Sequence, residues 1–146
     1  MRPAREFPAM SLDEIKWIEL PHVPDERGIL TSIESGLDIP FSIERVFFMH
    51  SVRGERGGHA HRATRQVLIP IAGEFELEVH DGRASDIYRM RDRNRGLYLP
   101  PMTWVRLFDF APHAVCLVLA DTRYAHSAYI RDWNEFLALA QHGRAA

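Results

Sequence analysis

The sequence predicts an all-β fold, a sandwich or small barrel of short strands followed by one C-terminal helix. Short apolar runs recur along the chain, separated by Gly, Pro, Asn and Asp, which is typical of strands joined by tight turns. The clearest alternation places Phe75, Leu77 and Val79 between polar residues, and Asp81-Gly82 follows as a hairpin turn. Because helical segments do not alternate with these strands, the pattern disfavours a βαβ fold.

Both the strands and the helix can be placed from the pattern. The predicted strands are 15–20, 28–34, 45–52, 66–72, 75–80, 85–90, 96–99, 103–108 and 115–120, with Pro21 and Pro24 breaking the chain after the first. Only the C-terminus is predicted to be helical, because Trp133, Phe136, Leu137 and Ala140 form one apolar stripe at helical spacing. Asp132 suits the positive end of the dipole of that helix.

Length and composition favour one globular, cytoplasmic domain. A chain of 146 residues suits a single domain, placed at 11–141, with flexible termini at 1–10 and 142–146. Hydrophobic residues make up 46% and the net charge is -2, which gives no reason to expect nucleic acid or an anionic membrane as a partner. No apolar stretch reaches the ~20 residues of a membrane span, and no signal peptide is recognisable. Cys116, the one cysteine, is expected to be a buried, reduced thiol.

The most informative segment is Arg56-Gly57-Gly58-His59-Ala60-His61. Residues i and i+2 of a strand share a face, so His59 and His61 would converge on one space if the segment is extended. Inside a barrel that space is a pocket, where small molecules bind. Two imidazoles there suit general acid–base catalysis. Two alternatives stay open, a histidine pair that holds a metal and a pair that is only packed.

The spacing after the histidines matches a known motif. Four residues separate His61 from Gln66 and six more lead to Gly73, as in the first motif of the cupins, although the glycines before His59 depart slightly from the usual spacing. The predicted fold is therefore a cupin barrel, that is, a double-stranded β-helix or jelly roll. Gln66 stands where metal-binding cupins carry Glu, and residues 96–110 contain no histidine. With too few ligands for a tight site, we expect no metal.

The chain resembles the nucleotide-sugar 3,4-ketoisomerases of the cupin superfamily, also described as WxcM-like domains, over about residues 15–140. The ordered segments that carry the resemblance include Asp25-Glu26-Arg27-Gly28, Glu44-Arg45-Val46-Phe47-Phe48, the His59–His61 segment, Gln66, Trp104, and Tyr129-Ile130-Arg131-Asp132. The resemblance implies a homodimer of β-barrels with strand exchange, no metal or other cofactor, and thymidine-diphosphate (dTDP) 4-keto-6-deoxyglucose as substrate. The product would be the 3-keto isomer, for deoxy-amino-sugar biosynthesis.

This chemistry needs groups that move protons. Shifting a ketone from C4 to C3 requires removal of the C3 proton, an enediol, and protonation of C4. We assign His59 as the base for the C3 proton and His61 as the relay between the two oxygens, with the reverse assignment left open. An ordinary imidazole would give the pH–rate profile a limb near ~6–7.

The resemblance also implies a set of substrate-binding positions. They are Arg27, Arg45, Phe47, Arg56, Gln66 and Trp104. Arginine suits the diphosphate because its guanidinium presents paired donors to phosphate oxygens. Two departures matter: relatives carry Tyr at the position of Phe47, and some carry a polar residue at that of Val105, which with Arg27 bears on C4 stereochemistry. The alternatives are a cupin-class sugar-nucleotide epimerase and a non-catalytic sugar-nucleotide binding module.

Overall fold

The computed structural model describes residues 11–145. Strands make up most of the regular structure, as predicted. The elements in chain order are α1 (Ser11–Glu14), β1 (Lys16–Glu19), β2 (His22–Asp25), β3 (Gly28–Thr31), β4 (Arg45–Met49), β5 (Arg56–His61), β6 (Gln66–Ala72), β7 (Phe75–His80), β8 (Ser85–Met90), β9 (Arg95–Leu99), β10 (Trp104–Phe108), β11 (Val115–Ala120), a 3₁₀ helix (His126–Ala128), β12 (Tyr129–Ile130) and α2 (Trp133–Ala145). None of the described helices is long and apolar enough to cross a membrane.

The strands form two antiparallel sheets and a separate hairpin. The first sheet has the order β1-β9-β6-β11-β4 and the second the order β12-β5-β10-β7-β8, while β2 and β3 pair only with each other. The two sheets face each other across the core in the manner of a jelly roll, which confirms the predicted all-β cupin fold with a short C-terminal helix.

The main core lies between the two sheets. Phe75, Leu77 and Val79 of β7 are buried against Leu68 and Val118 of the first sheet, so the predicted alternation along β7 is confirmed. Burial of this apolar surface is the main source of stability in such a fold. Cys116 is also in this core as a free thiol, and burial raises its pKa, which leaves it inert.

Apolar clusters also cover the outer faces of both sheets. Ile39 and Phe41, in the connection from β3 to β4, pack on the first sheet. On the second sheet, α2 buries Phe136 and Ala140 against Ala60 of β5. The predicted apolar stripe of α2 is thus confirmed, with Trp133 at its more exposed edge.

Three short elements escaped the sequence prediction. Strand β2 contains Pro24, which had indicated a break, but β2 lies in an isolated hairpin where no further strand needs the missing N–H. The four-residue α1 and the two-residue β12 are too short to give a periodic signal. The helix α2 continues to Ala145, so the backbone there is helical, and flexibility of 142–146 stays a prediction; residues 1–10 and Ala146 lie outside the described residues.

A bulge in β5 positions the histidine segment. Val105 of β10 pairs with His59 and Arg106 pairs with Gly57, so Gly58 is an extra residue in β5. Gly57 and Gly58 have φ of 93° and 76°, a left-handed backbone that favours glycine. A Cβ on Gly57 would lie 2.8 Å from the Val105 carbonyl oxygen. The unusual glycine spacing noted in the sequence is therefore this bulge.

Candidate active site

A cavity of about 250 Å³ opens between the two sheets beside the bulge. Its walls come from both sheets, with Phe47 on β4, His59 on β5, Gln66 on β6 and Tyr129 on β12. Arg56 and Arg131 also line it, whereas none of the described residues that line it is acidic. A cavity with aromatic walls and only basic charges is suited to an anionic organic molecule.

The two histidines lie side by side at this cavity. Their ring centroids are 5.4 Å apart, as expected for residues i and i+2 on one strand face. His59 lines the cavity, whereas His61 lies deeper and is only 5% exposed. Tyr129 is paired with His61 across the β5–β12 ladder, and its ring lies 4.4 Å from that of His61 and 5.1 Å from that of His59. The site is thus a cluster of three rings.

Burial keeps both imidazoles in the neutral form. The pKa of His59 lies below its usual 6.5, chiefly because of burial and then because of the positive charge of Arg131. Burial, followed by the charges of His59, Arg45 and Arg131, lowers the pKa of His61 to about 3. The backbone of Gly57 accepts a hydrogen bond from His59, which opposes the shift only in part. The lowered pKa values favour the neutral form of both rings at neutral pH, so we expect the acidic limb of the pH–rate profile below the ~6–7 of an ordinary imidazole.

These shifts set the expected pH dependence. For kcat/KM, which reports the free enzyme, we expect a plateau across neutral pH and a fall only well below pH 6.5, because the neutral base is lost when the ring is protonated. The acidic limb of the kcat profile should lie at a higher pH than that of kcat/KM. A bound diphosphate offsets the nearby arginine charges and so raises the imidazole pKa. Initial rates from pH 4.5 to 9 test this, and a kcat/KM limb at or above 6.5 would contradict it.

Within residues 11–145, no side chain neutralises the positive charge of Arg45. Its guanidinium lies 4.7 Å from the centroid of Phe47 and 5.3 Å from that of Tyr124, and Nη2 donates to the Tyr129 hydroxyl at 3.1 Å. Nε is buried without an acceptor, and no carboxylate of residues 11–145 forms an ion pair with Arg45. An unneutralised, half-buried guanidinium next to a cavity is favourable for an anionic ligand.

The structure brings together most of the predicted site residues. His59, Phe47, Arg56 and Gln66 line the cavity, and Arg45 and His61 pack directly behind its wall.

Trp104 and Arg27 lie elsewhere. Trp104 does not line the cavity, since its neighbour Val105 does and adjacent strand residues face opposite ways. Its ring packs on the outer face of the sheet, 5.1 Å from Trp133 and 5.4 Å from Phe136 of α2. Arg27 lies in the turn of the β2–β3 hairpin, where its side chain is 86% exposed and bound to Asp25. Neither residue contacts the cavity of its own chain.

Several residues of the cavity wall were not assigned to the site from the sequence. Among them are Met49, Tyr124, Tyr129 and Arg131. The spacing of Tyr129 and Arg131 could have indicated that they belong together. The two residues are two positions apart in the Tyr-Ile-Arg-Asp segment, so their side chains share a face if that segment is extended. A strand of only two residues gave no pattern that would have shown the extension.

Metal-free activity stays a prediction. Within residues 11–145 no group of three or more His, Cys, Asp or Glu side chains is arranged to hold a metal ion. Near His59 and His61 the described cavity wall adds the amide of Gln66 and the phenol of Tyr129, which are weak ligands for a catalytic metal. We expect turnover to survive prolonged dialysis against a chelator. Loss of activity on dialysis, with recovery on adding back one equivalent of a transition metal, would contradict this.

An antiparallel jelly roll with a histidine pair in a basic, aromatic cavity defines a cupin-type domain for an anionic small molecule. The family model described as "FdtA: WxcM-like, C-terminal" matches residues 13–141, and the chain belongs to this family.

Proteins with known activities are similar over nearly the whole chain. The TDP-4-oxo-6-deoxy-alpha-D-glucose-3,4-oxoisomerase of Aneurinibacillus thermoaerophilus is 36% identical over 84% of this chain and 90% of its own length. The solved structure of a histidine-to-asparagine variant of the 3,4-ketoisomerase QdtA from Thermoanaerobacterium thermosaccharolyticum, in complex with TDP-4-keto-6-deoxyglucose, superposes with a TM-score of 0.86 at 33% identity, over 88% of this chain and 94% of that one. The structure of a 3,4-ketoisomerase from Helicobacter canadensis superposes with a TM-score of 0.85 at 33% identity, over 88% of this chain and 98% of that one.

Proposed function

We propose that this protein is an isomerase that converts a TDP-linked 4-keto-6-deoxyhexose into its 3-keto isomer. The observation that carries the proposal is a histidine pair with lowered pKa values beside a cavity whose charged wall residues, among those described, are all arginines. Neutral imidazoles can accept a carbon-bound proton, and the arginines suit a diphosphate. The relatives described above, each 33% identical or more, are named for this reaction.

The reaction can be written with the groups that the cavity holds. One imidazole of the His59–His61 pair takes the C3 proton, and the electrons move toward the C4 carbonyl to form an enediolate. A proton then passes from the C3 oxygen to the C4 oxygen, and the protonated imidazole returns a proton to C4. Protons and electrons balance within the sugar and the side chains, so the step requires no oxidant or reductant.

Substrate binding is divided between charge and shape. Arg56 and Arg131 line the cavity and Arg45 packs behind its wall, and each lowers the pKa of at least one of the two histidines. Three guanidiniums in this region suit a diphosphate. The amide of Gln66, which is only 6% exposed, is a suitable partner for a sugar hydroxyl. Phe47 supplies an aromatic face without a hydroxyl. Trp104 is not among the proposed contacts, because α2 covers it.

Incubation with TDP-4-keto-6-deoxyglucose in D₂O, followed by proton NMR, tests the function. We expect the keto group to move from C4 to C3 and deuterium to enter at the carbons that exchange protons. Exchange at C3 or C5 without movement of the ketone would indicate an epimerase, and saturable binding without exchange would indicate a binding module. Either result would overturn the proposal.

A homodimer is proposed from the isolated β2–β3 hairpin. Val23, Ile29 and Leu30 on this hairpin are each more than 60% exposed, which is unusual for so many neighbouring apolar side chains. Because the hairpin pairs with neither sheet of its own chain, a second copy is the proposed cover, and Arg27 at its turn would then approach the partner's cavity. This gives Arg27 the substrate-binding role predicted for it.

Sedimentation equilibrium tests the dimer. We expect a mass twice that of the 16.9 kDa chain at micromolar concentration. Substitution of Ile29 and Leu30 with Ser should shift the species toward monomer, while the same change at Leu37, an exposed apolar residue outside the hairpin, should not. A wild-type monomer would contradict the proposal.

The proposed compartment stays the cytoplasm, and cell fractionation would test that.

A further inference from the structure

We propose that Tyr129 is a catalytic residue that carries the proton between the C3 and C4 oxygens of the sugar. The proposal rests on the isomerase function above and names the group that performs its oxygen-to-oxygen step. It would leave the histidine pair to serve the carbon-bound protons.

The first argument is position. Tyr129 lines the cavity and is the strand partner of His61, so its side chain projects on the same face as both imidazoles. Its ring centroid lies 4.4 Å from that of His61 and 5.1 Å from that of His59. A substrate carbon within reach of one of these histidines therefore has its neighbouring oxygens close to the Tyr129 ring.

The second argument is the direction of the phenol hydrogen. A phenol has one hydrogen to donate and lone pairs that accept, whereas a guanidinium only donates. Arg45 Nη2 lies 3.1 Å from the Tyr129 oxygen and must be the donor of that bond. The hydrogen of the Tyr129 hydroxyl forms no hydrogen bond with any other residue of the described chain, so it remains available to an acceptor in the cavity.

The third argument is the charge of Arg45. A phenol that gives up its proton becomes a phenolate, which is stabilised by a positive charge held in place beforehand. Arg45 is such a charge, since Phe47 and Tyr124 hold its guanidinium by their ring faces and no described carboxylate pairs with it. The bond from Arg45 is made before the reaction and strengthens as negative charge develops on the Tyr129 oxygen.

The fourth argument is a comparison within the cavity. Phe47 has no hydroxyl, and Tyr124, the other described tyrosine of the cavity wall, lies at the rim and is 59% exposed. The ring of Tyr124 also lies against the Arg45 guanidinium, and its centroid is 5.8 Å from that of Tyr129. Tyr129 is thus the phenol in contact with both imidazoles, and Tyr124 is a matched control.

The proposed step conserves protons. After the C3 proton has left, negative charge resides on the C4 oxygen. Tyr129 gives its proton to that oxygen, so a phenolate forms beside Arg45, and the phenolate then takes the proton from the C3 hydroxyl. The C3 oxygen becomes the new carbonyl when C4 receives its proton from the imidazolium. Tyr129 ends the cycle as it began.

Tyr129→Phe and Tyr124→Phe, followed in D₂O by NMR, test the proposal. The Tyr129→Phe variant retains the ring, so we expect the dissociation constant for TDP and the thermal midpoint to change little. Ketone migration should fall by roughly 10²-fold, the scale of a lost proton-transfer group. Deuterium exchange at C3 should fall less, because the enediolate still forms, so the ratio of exchange to migration should rise. Tyr124→Phe should leave this ratio at the wild-type value.

The outcomes separate this proposal from the function on which it depends. If the wild-type enzyme does not move the ketone, the proposed isomerase function is wrong, and the role proposed for Tyr129 is wrong with it. If wild-type enzyme is active, wild-type migration by Tyr129→Phe overturns the inference alone. Equal losses of exchange and migration also overturn it, because they would show that Tyr129 only positions the histidines or Arg45.

Discussion

Replacing His59 or His61 with Asn is expected to lower turnover by about 10²–10⁴-fold, the loss found when a positioned acid–base group is removed. Asn preserves polarity and approximate size but has no lone-pair nitrogen that accepts a proton. His61 is buried and His59 half-buried, and their lowered pKa values favour the neutral form, so neither contributes a charge that the fold depends on. The thermal midpoint should therefore change much less than turnover.

His113→Asn is the matched control for this pair. His113 is exposed, lies outside the cavity wall and has φ of 66°, a conformation that Asn adopts readily. It should retain wild-type turnover. If His59→Asn and His61→Asn are both folded and lose less than about tenfold in turnover, the imidazoles are only packed and the two-histidine mechanism is wrong.

Replacing Arg45 with Met should raise the dissociation constant for the TDP-sugar by roughly 10–100-fold. A hydrogen bond to a charged group contributes about 1.5–3 kcal/mol, and 1.4 kcal/mol corresponds to a factor of ten. Met retains an unbranched side chain between Phe47 and Tyr124 but removes the charge. Because the guanidinium is half-buried without a carboxylate partner in the described chain, its removal should not lower the thermal midpoint.

Arg123→Met is the control for Arg45. The Arg123 side chain is 89% exposed and lies 3.8 Å from Glu44, so its charge is solvated and partly neutralised. It should bind TDP-sugar with wild-type affinity by isothermal titration calorimetry. Equal affinities for wild type and Arg45→Met would remove Arg45 from the binding site, and a large loss of stability in that variant would show a structural role instead.

The fold and the position of the histidine pair could be predicted from the sequence because both depend on local patterns. Alternation along β7 and the helical stripe of α2 follow from which side chains are apolar. His59 and His61 share a face through strand geometry alone. These inferences required no knowledge of which elements meet in space.

The features that the sequence did not show are those that tertiary packing decides. Trp104 and Val105 both suit a buried strand, and only the position of α2 over the outer face shows that Val105 is the one that faces the cavity. The low pKa of His61 results from burial and from arginines that are distant in sequence, which no local pattern reveals. Tyr129 lies on a strand of two residues that exists only because β5 pairs with it.

Because of the bulge at Gly57 and Gly58, the direction of the histidine pair and the shape of the cavity are determined by different parts of the chain. The direction of the histidine pair is set by main-chain geometry, since a Cβ on Gly57 would collide with the carbonyl oxygen of Val105. The shape of the cavity is set by side chains on other strands, such as Phe47 and Gln66. Substitutions at Phe47 or Gln66 can therefore change the shape of the cavity while the direction of the histidine pair stays the same.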